Sequence, residues 1–232
     1  MRPFESAAPK MTHTLRALAW LLRYPDAELR AAAPQLAEAL YAEAALEPGR
    51  LVELEALTRQ LAQPAPLRIE VAYVELFDCG HRTSLHLFEH VHGESRDRGP
   101  AMIDLAQTYE RTGLLLAPGE LPDYLPVVLE FASTQPPAQA RGFLREIAHV
   151  VQAIFSALLE RSSPYASVLA AVLDLAGERA LKVPLAAEPG IDESWAEPEA
   201  FGGCSSAGQS RPNKQQLVHI VRKARAPQRS AA

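Results

Sequence analysis

Apolar residues recur with the period of an α-helix for about five turns in the second half of the chain. The pattern consists of Phe143, Leu144, Ile147, Val150, Val151, Ile154, Phe155, Leu158 and Leu159. These positions share one face of a helix with 3.6 residues per turn. The segment therefore predicts a long amphipathic helix, and it is the clearest secondary-structure signal in the sequence.

Shorter segments of the same character fill the rest of the first 180 residues and are separated by proline and glycine. Alanine and leucine dominate the composition, which favours helix over strand. The other predicted helices cover 15–23 (capped by Thr14), 26–44 (with Pro34 inside), 50–63, 67–77, 84–91, 100–111, a segment that begins at 124, and 165–176. We therefore predict an all-α fold, a single-domain bundle of about eight to nine helices.

The composition changes after residue 180. An N-terminal arm (1–11) and the helical domain (12–180) are followed by a tail (181–232) rich in proline, glycine and serine, which predicts an extended, partly disordered segment. Residues 191–198 within the tail resemble a short docking segment, because Trp195 requires burial against this chain or a partner. The tail ends in a basic stretch.

Charge and cysteine usage narrow the class of protein. The net charge is −5, yet six bases and no acid follow residue 210, so the remaining 17 bases face all 28 acidic residues. An acidic body suits a basic partner and argues against nucleic acid. No apolar run of ~18 residues, no signal core and no cysteine pair is visible, which predicts a cytoplasmic protein without stable membrane insertion.

Two prolines constrain the start of the seventh helix. Proline is tolerated near the start of a helix, where no intrahelical N–H bond is needed. One solution fits both Pro122 and Pro126: Asp123 is the N-cap, Tyr124 is the first helical residue, and Pro126 lies in the first turn. Leu125 and Leu129 then share an apolar face.

Four histidines lie close together, namely His81, His86, His90 and His92. His86 and His90 are four residues apart on a predicted helix, a spacing that allows two imidazoles to share a metal. A metal-dependent helical enzyme is therefore the alternative hypothesis, although surface histidines are the more ordinary interpretation. The chain has no Gly-x-Ser-x-Gly elbow and no glycine-rich phosphate loop, so the prediction is that it is not an enzyme and binds neither metal nor cofactor of its own.

A loop with two arginines precedes the sixth helix. Arg96 and Arg98 fit a turn whose arginines pair with neighbouring acids. They also fit a contact with an acidic cofactor group or a nucleotide phosphate, because guanidinium binds phosphate well. The sequence leaves both interpretations open.

The residues at 73–78, 84–90, 92–102 and 120–131, taken in order, resemble the nitrate reductase delta subunit (NarJ) family, which belongs with the TorD/DmsD-type maturation chaperones of molybdenum enzymes. The resemblance implies an all-helical, cytoplasmic, non-catalytic chaperone. It implies binding of the apo catalytic (α) subunit of respiratory nitrate reductase through that subunit's N-terminal segment, during molybdenum cofactor insertion and membrane-complex assembly. It also implies contact with proteins of molybdenum cofactor biosynthesis.

We expect such a segment to lie in a groove between the fourth and seventh helices. An apolar groove with an acidic rim suits an amphipathic, basic helix. The predicted contacts are apolar or aromatic at Tyr73, Phe77, Tyr124, Leu125 and Leu129 and acidic at Glu75, Asp78, Asp123 and Glu130. Within the resemblance, Pro122 and Asp123 match a signature Pro-Asp-His, with Tyr124 in place of the histidine.

Overall fold

A computed structural model describes residues 10–93 and 95–185, which form nine α-helices, one short 3₁₀ helix and no strand. The α-helices are α1 (Thr12–Leu21), α2 (Ala27–Glu43), α3 (Pro48–Leu61), α4 (Pro66–Phe77), α5 (Leu87–Val91), α6 (Arg98–Arg111), α7 (Leu125–Thr134), α8 (Pro137–Glu160) and α9 (Ala166–Ala176), and the 3₁₀ helix is His81–Thr83. The predicted all-α fold is confirmed. The segment around Trp195 and the basic end lie outside the described residues.

The core forms around α8 and α9. Every residue of α9 except Asp174 is buried, and α8 places a face that includes Leu144, Val151 and Ile154 against it. On the other side, α1 packs against α2 and α7. The long periodic segment is thus the central helix that its pattern predicts, and it begins earlier, at Pro137, because proline suits the first position of a helix.

Helix α8 is long and apolar enough to cross a membrane when length and composition alone are considered, and it is the one such helix among residues 10–93 and 95–185. Its apolar face is occupied by α9 and the neighbouring helices. Core helices of globular domains commonly have this composition, since their buried face must be apolar.

Several helix ends are satisfied by side chains. The helix start predicted at Asp26 is confirmed, because Asp26 is the N-cap of α2 and its Oδ1 accepts the Leu29 amide at 2.8 Å. The predicted cap at Thr14 is wrong, since α1 starts at Thr12. The Thr14 amide instead donates to Oε2 of Glu43, at the end of α2, over 2.6 Å. A carboxylate can satisfy these free amides from a distant part of the chain as well as from the cap position.

Candidate functional site

An open cleft of about 490 Å³ lies beside the C-terminal half of α4. One side is formed by Arg23 and Tyr24, which follow α1, and by Tyr73, Phe77 and Asp78 of α4 and its C-cap. The other side consists of residues before α5 and α7, namely Leu85, His86, Gly119, Glu120, Leu121 and Tyr124. A hollow of about 570 Å³ beside α2 has no Phe, Tyr or Trp in its lining, so it offers fewer apolar anchors for a ligand.

Two tyrosine hydroxyls tie the floor of the cleft to the end of α1. The Tyr73 hydroxyl donates to the Leu22 carbonyl at 2.7 Å, and the Tyr124 hydroxyl lies 3.4 Å from that of Tyr73 and 3.5 Å from the same carbonyl. Carbonyls at helix ends lack an intrahelical partner, so these bonds satisfy the buried C-terminal end of α1. Burial raises the pKa of both tyrosines, which keeps the hydroxyls neutral.

Asp123 is fully buried and caps α5, not α7. Its Oδ2 accepts the Phe88 amide at 3.1 Å, and its backbone carbonyl accepts the Leu87 amide at 3.0 Å. Helix α7 begins at Leu125 with Tyr124 as N-cap and no side-chain cap bond, so the predicted cap of α7 at Asp123 and the predicted helical start at Tyr124 are wrong. The prediction that Pro126 lies in the first turn is confirmed.

The reason for this difference is a short antiparallel pairing that sequence periodicity does not reveal. His86 and Tyr124 form an isolated β-bridge, and the Leu125 amide donates to the Leu85 carbonyl at 2.8 Å. Since this bond and Pro126 remove two of the free donors of α7, its first turn needs little capping. The carboxylate of Asp123 is then available to the first turn of α5.

His86 connects this cap to the cleft. Its Nδ1 lies 3.5 Å from Oδ1 of Asp123, and its ring stacks on Tyr124 with centroids 5.2 Å apart. The hydrogen bond with Asp123 raises the pKa of His86, while partial burial opposes that shift. A half-buried imidazole with one edge in the cleft and the other on a carboxylate therefore links α5 to α7.

The structure brings some of the predicted contact residues together and separates others. Tyr73, Phe77, Asp78 and Tyr124 line the cleft. The remaining predicted contacts lie elsewhere: Leu125 and Leu129 are 0% exposed, Asp123 is buried below His86, and Glu75 and Glu130 are exposed outside the lining. Leu125 and Leu129 belong to the main core because α7 packs on α1, so neither is accessible to a ligand in this conformation.

Sequence reasoning missed several residues on both sides of the cleft. Arg23, Tyr24, Leu85, Glu120 and Leu121 lie in connections between helices, where no periodic pattern marks a buried or functional face. The sequence feature that could have indicated one of them is Tyr24-Pro25. The residue before a proline avoids the helical conformation, so an aromatic side chain is placed where the helix must end.

The histidines do not converge on a metal site. The Nε2 atom of His90 lies 2.9 Å from the Ser84 carbonyl, and His86 faces Asp123 and precedes α5 as its N-cap residue. Within the part of the chain that the structure describes, no group of three or more His, Cys, Asp or Glu residues could hold a metal ion. No observation here favours the metal-dependent enzyme.

The two arginines of the loop do not line the cleft. Arg98 is the first residue of α6 and its guanidinium lies 3.6 Å from Oε1 of Glu89, as the structural interpretation of the loop predicts. Arg96 is exposed. A contact of Arg96 and Arg98 with a cofactor or nucleotide stays a prediction.

The fold of the described helices is also found in a solved structure, and the sequence shows the family. The described helices superpose on a solved structure of a protein described as a redox enzyme maturation protein from Archaeoglobus fulgidus, with a TM-score of 0.51, 21% identity, and coverage of 76% of this chain and 100% of that one. Residues 23–171 match the family model of the nitrate reductase delta subunit. The chain belongs to this family, so the resemblance of its motifs is confirmed.

The chain is also similar to two proteins whose names state a role. The chain is 44% identical over 156 residues to the nitrate reductase molybdenum cofactor assembly chaperone NarJ of Escherichia coli K12, and the match covers 67% of this chain and 66% of that protein. It is 36% identical over 160 residues to the NarJ protein of Bacillus subtilis 168, with 69% and 86% covered. The match thus spans slightly less than two thirds of the length of the Escherichia coli protein.

Proposed function

We propose that the chain is a molybdenum cofactor assembly chaperone for respiratory nitrate reductase and acts in the cytoplasm without catalysing a reaction. The observation that carries this proposal is the family match, which extends over both walls of the cleft from Arg23 to Tyr124. The names of the relatives support the same role. In this role the chain holds the apo catalytic subunit and is absent from the finished enzyme.

The cleft is the proposed binding site for the N-terminal segment of that subunit. Its volume of about 490 Å³ falls in the range of sites for small ligands, so it accommodates a few side chains of a helical segment. Tyr73, Phe77 and Tyr124 supply rigid aromatic surface, which commonly carries most of the affinity of an interface. We therefore expect one apolar anchor of the segment to enter between α4 and Tyr124.

The acidic contacts are fewer than the sequence predicts. Asp78 is the one of the four predicted acids that lines the cleft, and Glu120 joins it from the loop before α7. Asp123 is already bonded to α5, and we assign Glu75 and Glu130 no contact because they face solvent elsewhere. Basic residues of the segment would meet Asp78 and Glu120, and such charges mainly affect association rate and salt sensitivity.

Titration calorimetry with a synthetic N-terminal segment of the catalytic subunit tests the proposal. We expect saturable binding by the wild-type chain and at least tenfold weaker binding by Tyr124→Ala, since the loss of a buried aromatic anchor costs more than 1.4 kcal/mol in many interfaces. Leu115→Ala is the matched control, because Leu115 is 80% exposed and outside the cleft. No heat with a folded wild-type sample would refute the proposed site.

A second experiment tests the cellular role. Affinity purification of the chain from nitrate-respiring cells should recover the apo catalytic subunit, and recovery should rise when molybdenum cofactor synthesis is blocked. A chaperone releases its client once the client is complete, because it binds the incomplete state in preference. Equal recovery with and without cofactor synthesis would contradict this role.

A further inference from the structure

We propose that the cleft contains a subsite for one cationic group, an ammonium or guanidinium of the bound segment, and that Asp78 is the residue that selects it. The inference rests on the proposed function, because it specifies which chemical group of the segment the cleft recognises. It follows from the position, partners and surroundings of Asp78.

The position of Asp78 is electrostatically unfavourable in the free protein. It is the C-cap residue of α4, where the helix dipole places partial negative charge, so an acid at that end is destabilising. The Arg161 guanidinium offsets part of this charge by bonding the Glu75 and Leu76 carbonyls at 3.2 and 3.3 Å. The carboxylate of Asp78 itself has no hydrogen bond or ion pair with any of the described residues within normal distances, so its charge is available to a ligand.

Arg23 lines the cleft, but its guanidinium is directed to another partner. The Arg23 guanidinium lies over the Trp20 ring at 5.2 Å from the centroid, and it forms no ion pair with Asp78. Glu120, the second carboxylate of the lining, accepts the Ala117 amide of its own loop at 3.3 Å. Asp78 is therefore the carboxylate of the lining with the most unused bonding capacity.

Aromatic rings line the cleft together with Asp78. Tyr24 and Phe77 contact Tyr73 with ring centroids 5.7 and 4.8 Å apart, and all three residues line the cleft with Asp78. Tyr124 lines the cleft as well, so the aromatic part of the lining is made of three tyrosines and one phenylalanine. A cation next to Asp78 would gain both an ion pair and contact with neutral aromatic faces.

Replacing Asp78 by Asn should have opposite effects on thermal stability and on affinity for the segment. Asp78→Asn removes a negative charge from the C-terminal end of α4, so the melting temperature should stay constant or rise. The same change should weaken binding of the N-terminal segment about three- to fivefold and reduce the dependence of affinity on salt, since the ion pair of an exposed carboxylate is lost. A residue that served the fold alone would not produce this combination.

Glu75→Gln is the matched control. Glu75 lies on the last turn of the same helix and is exposed, but it does not line the cleft. Both variants remove one negative charge from the same region, so any effect of net charge alone is shared. We expect the affinity of Glu75→Gln to stay within twofold of wild type at each salt concentration.

The recognised cation is identified by a set of synthetic segments, one with an acetylated α-amino group and others with single Lys or Arg residues replaced by Gln. The segment that lacks the recognised cation should bind the wild-type chain more weakly than the unmodified segment does. The same two segments should bind Asp78→Asn with equal affinity, because the partner of the cation is then absent. Equal affinity of wild type and Asp78→Asn, or an equal loss in Glu75→Gln, would overturn the subsite while binding itself persists. Absence of binding to wild type would refute the proposed function and the subsite together.

Discussion

Helices α9 and α6 are held in different ways. Every residue of α9 except Asp174 is buried, whereas α6 is longer and buries only Tyr109. Helix α4 resembles α6, because its buried residues, Tyr73, Leu76 and Phe77, all lie in its C-terminal half. The chain thus combines a closely packed centre with helices that are attached at one end.

The cleft lies where these two regions meet. Its floor is fixed by the bond from Tyr73 to Leu22 at the end of α1, and one wall is the lightly packed α4. Regions with few buried apolar contacts open at a lower free energy than the core. Because the cleft lies beside the C-terminal half of α4, which carries its buried residues, we expect Tyr73 and Phe77 to keep their positions while the more exposed first half of α4 opens more readily.

The largest expected difference comes from truncating leucines in the two regions. Leu144→Ala removes a fully buried side chain of α8 and should lower the free energy of unfolding by about 2–5 kcal/mol. Leu67→Ala acts on α4, where Leu67 is 73% exposed, and should change it by less than about 0.5 kcal/mol. Denaturant unfolding of both variants measures the difference, and similar losses would show that α4 is as closely packed as α8.

The turn after α4 should be the sensitive point of that lightly packed wall. A Cβ at Gly80 would overlap Oγ1 of Thr83 and lie 3.0 Å from the Leu76 carbonyl oxygen. Gly80→Ala should therefore destabilise by about 1–3 kcal/mol, because a buried hydroxyl must move. Gly49→Ala is the control: its Cβ meets nothing within 4 Å, so thermal unfolding should show no loss of stability. Equal melting temperatures would mean that the turn relaxes freely.

A smaller effect separates the two possible roles of Asp123. Asp123→Ala should cost about 0.5–2 kcal/mol through the lost cap, and Asp123→Asn should cost less because an oxygen remains. Hydrogen exchange locates the effect: the Phe88 amide of α5 should lose protection, while the Val128 amide of α7 should change less. The reverse order would restore Asp123 as the cap of α7.

The sequence predicts those parts of the fold that depend on local patterns. The period of α8, the proline breaks and the start of α2 at Asp26 depend on residues within a few positions of one another, and all three are confirmed. Family motifs likewise placed Tyr73, Phe77, Asp78 and Tyr124 near one site. The local predictions that are wrong, such as the cap of α7 at Asp123, concern residues whose partners are distant in the chain.

Asp123 and Leu129 illustrate that failure. The bond from Asp123 to Phe88 joins residues 35 positions apart, and no local pattern distinguishes it from a cap of the adjacent helix. Leu129 lies on an apolar helical face, which is equally compatible with a groove and with the core. Only the packing of α1 against α7 decides between them, and Leu129 is in the core.

The smallest expected effect concerns pH and the link between α5 and α7. Because the bond with Asp123 raises the pKa of His86 in the folded state, protonation stabilises the fold. The contribution is complete below the unfolded pKa of about 6.5 and is lost as the pH rises through the higher folded value. The difference in free energy of unfolding between wild type and His86→Gln should therefore be larger at about pH 5.5 than at about pH 8.5, with wild type the more stable. The nearby charges of Glu89 and Arg98 oppose each other. In an Asp123→Asn background the difference should shrink, and an unchanged difference would assign it to another group.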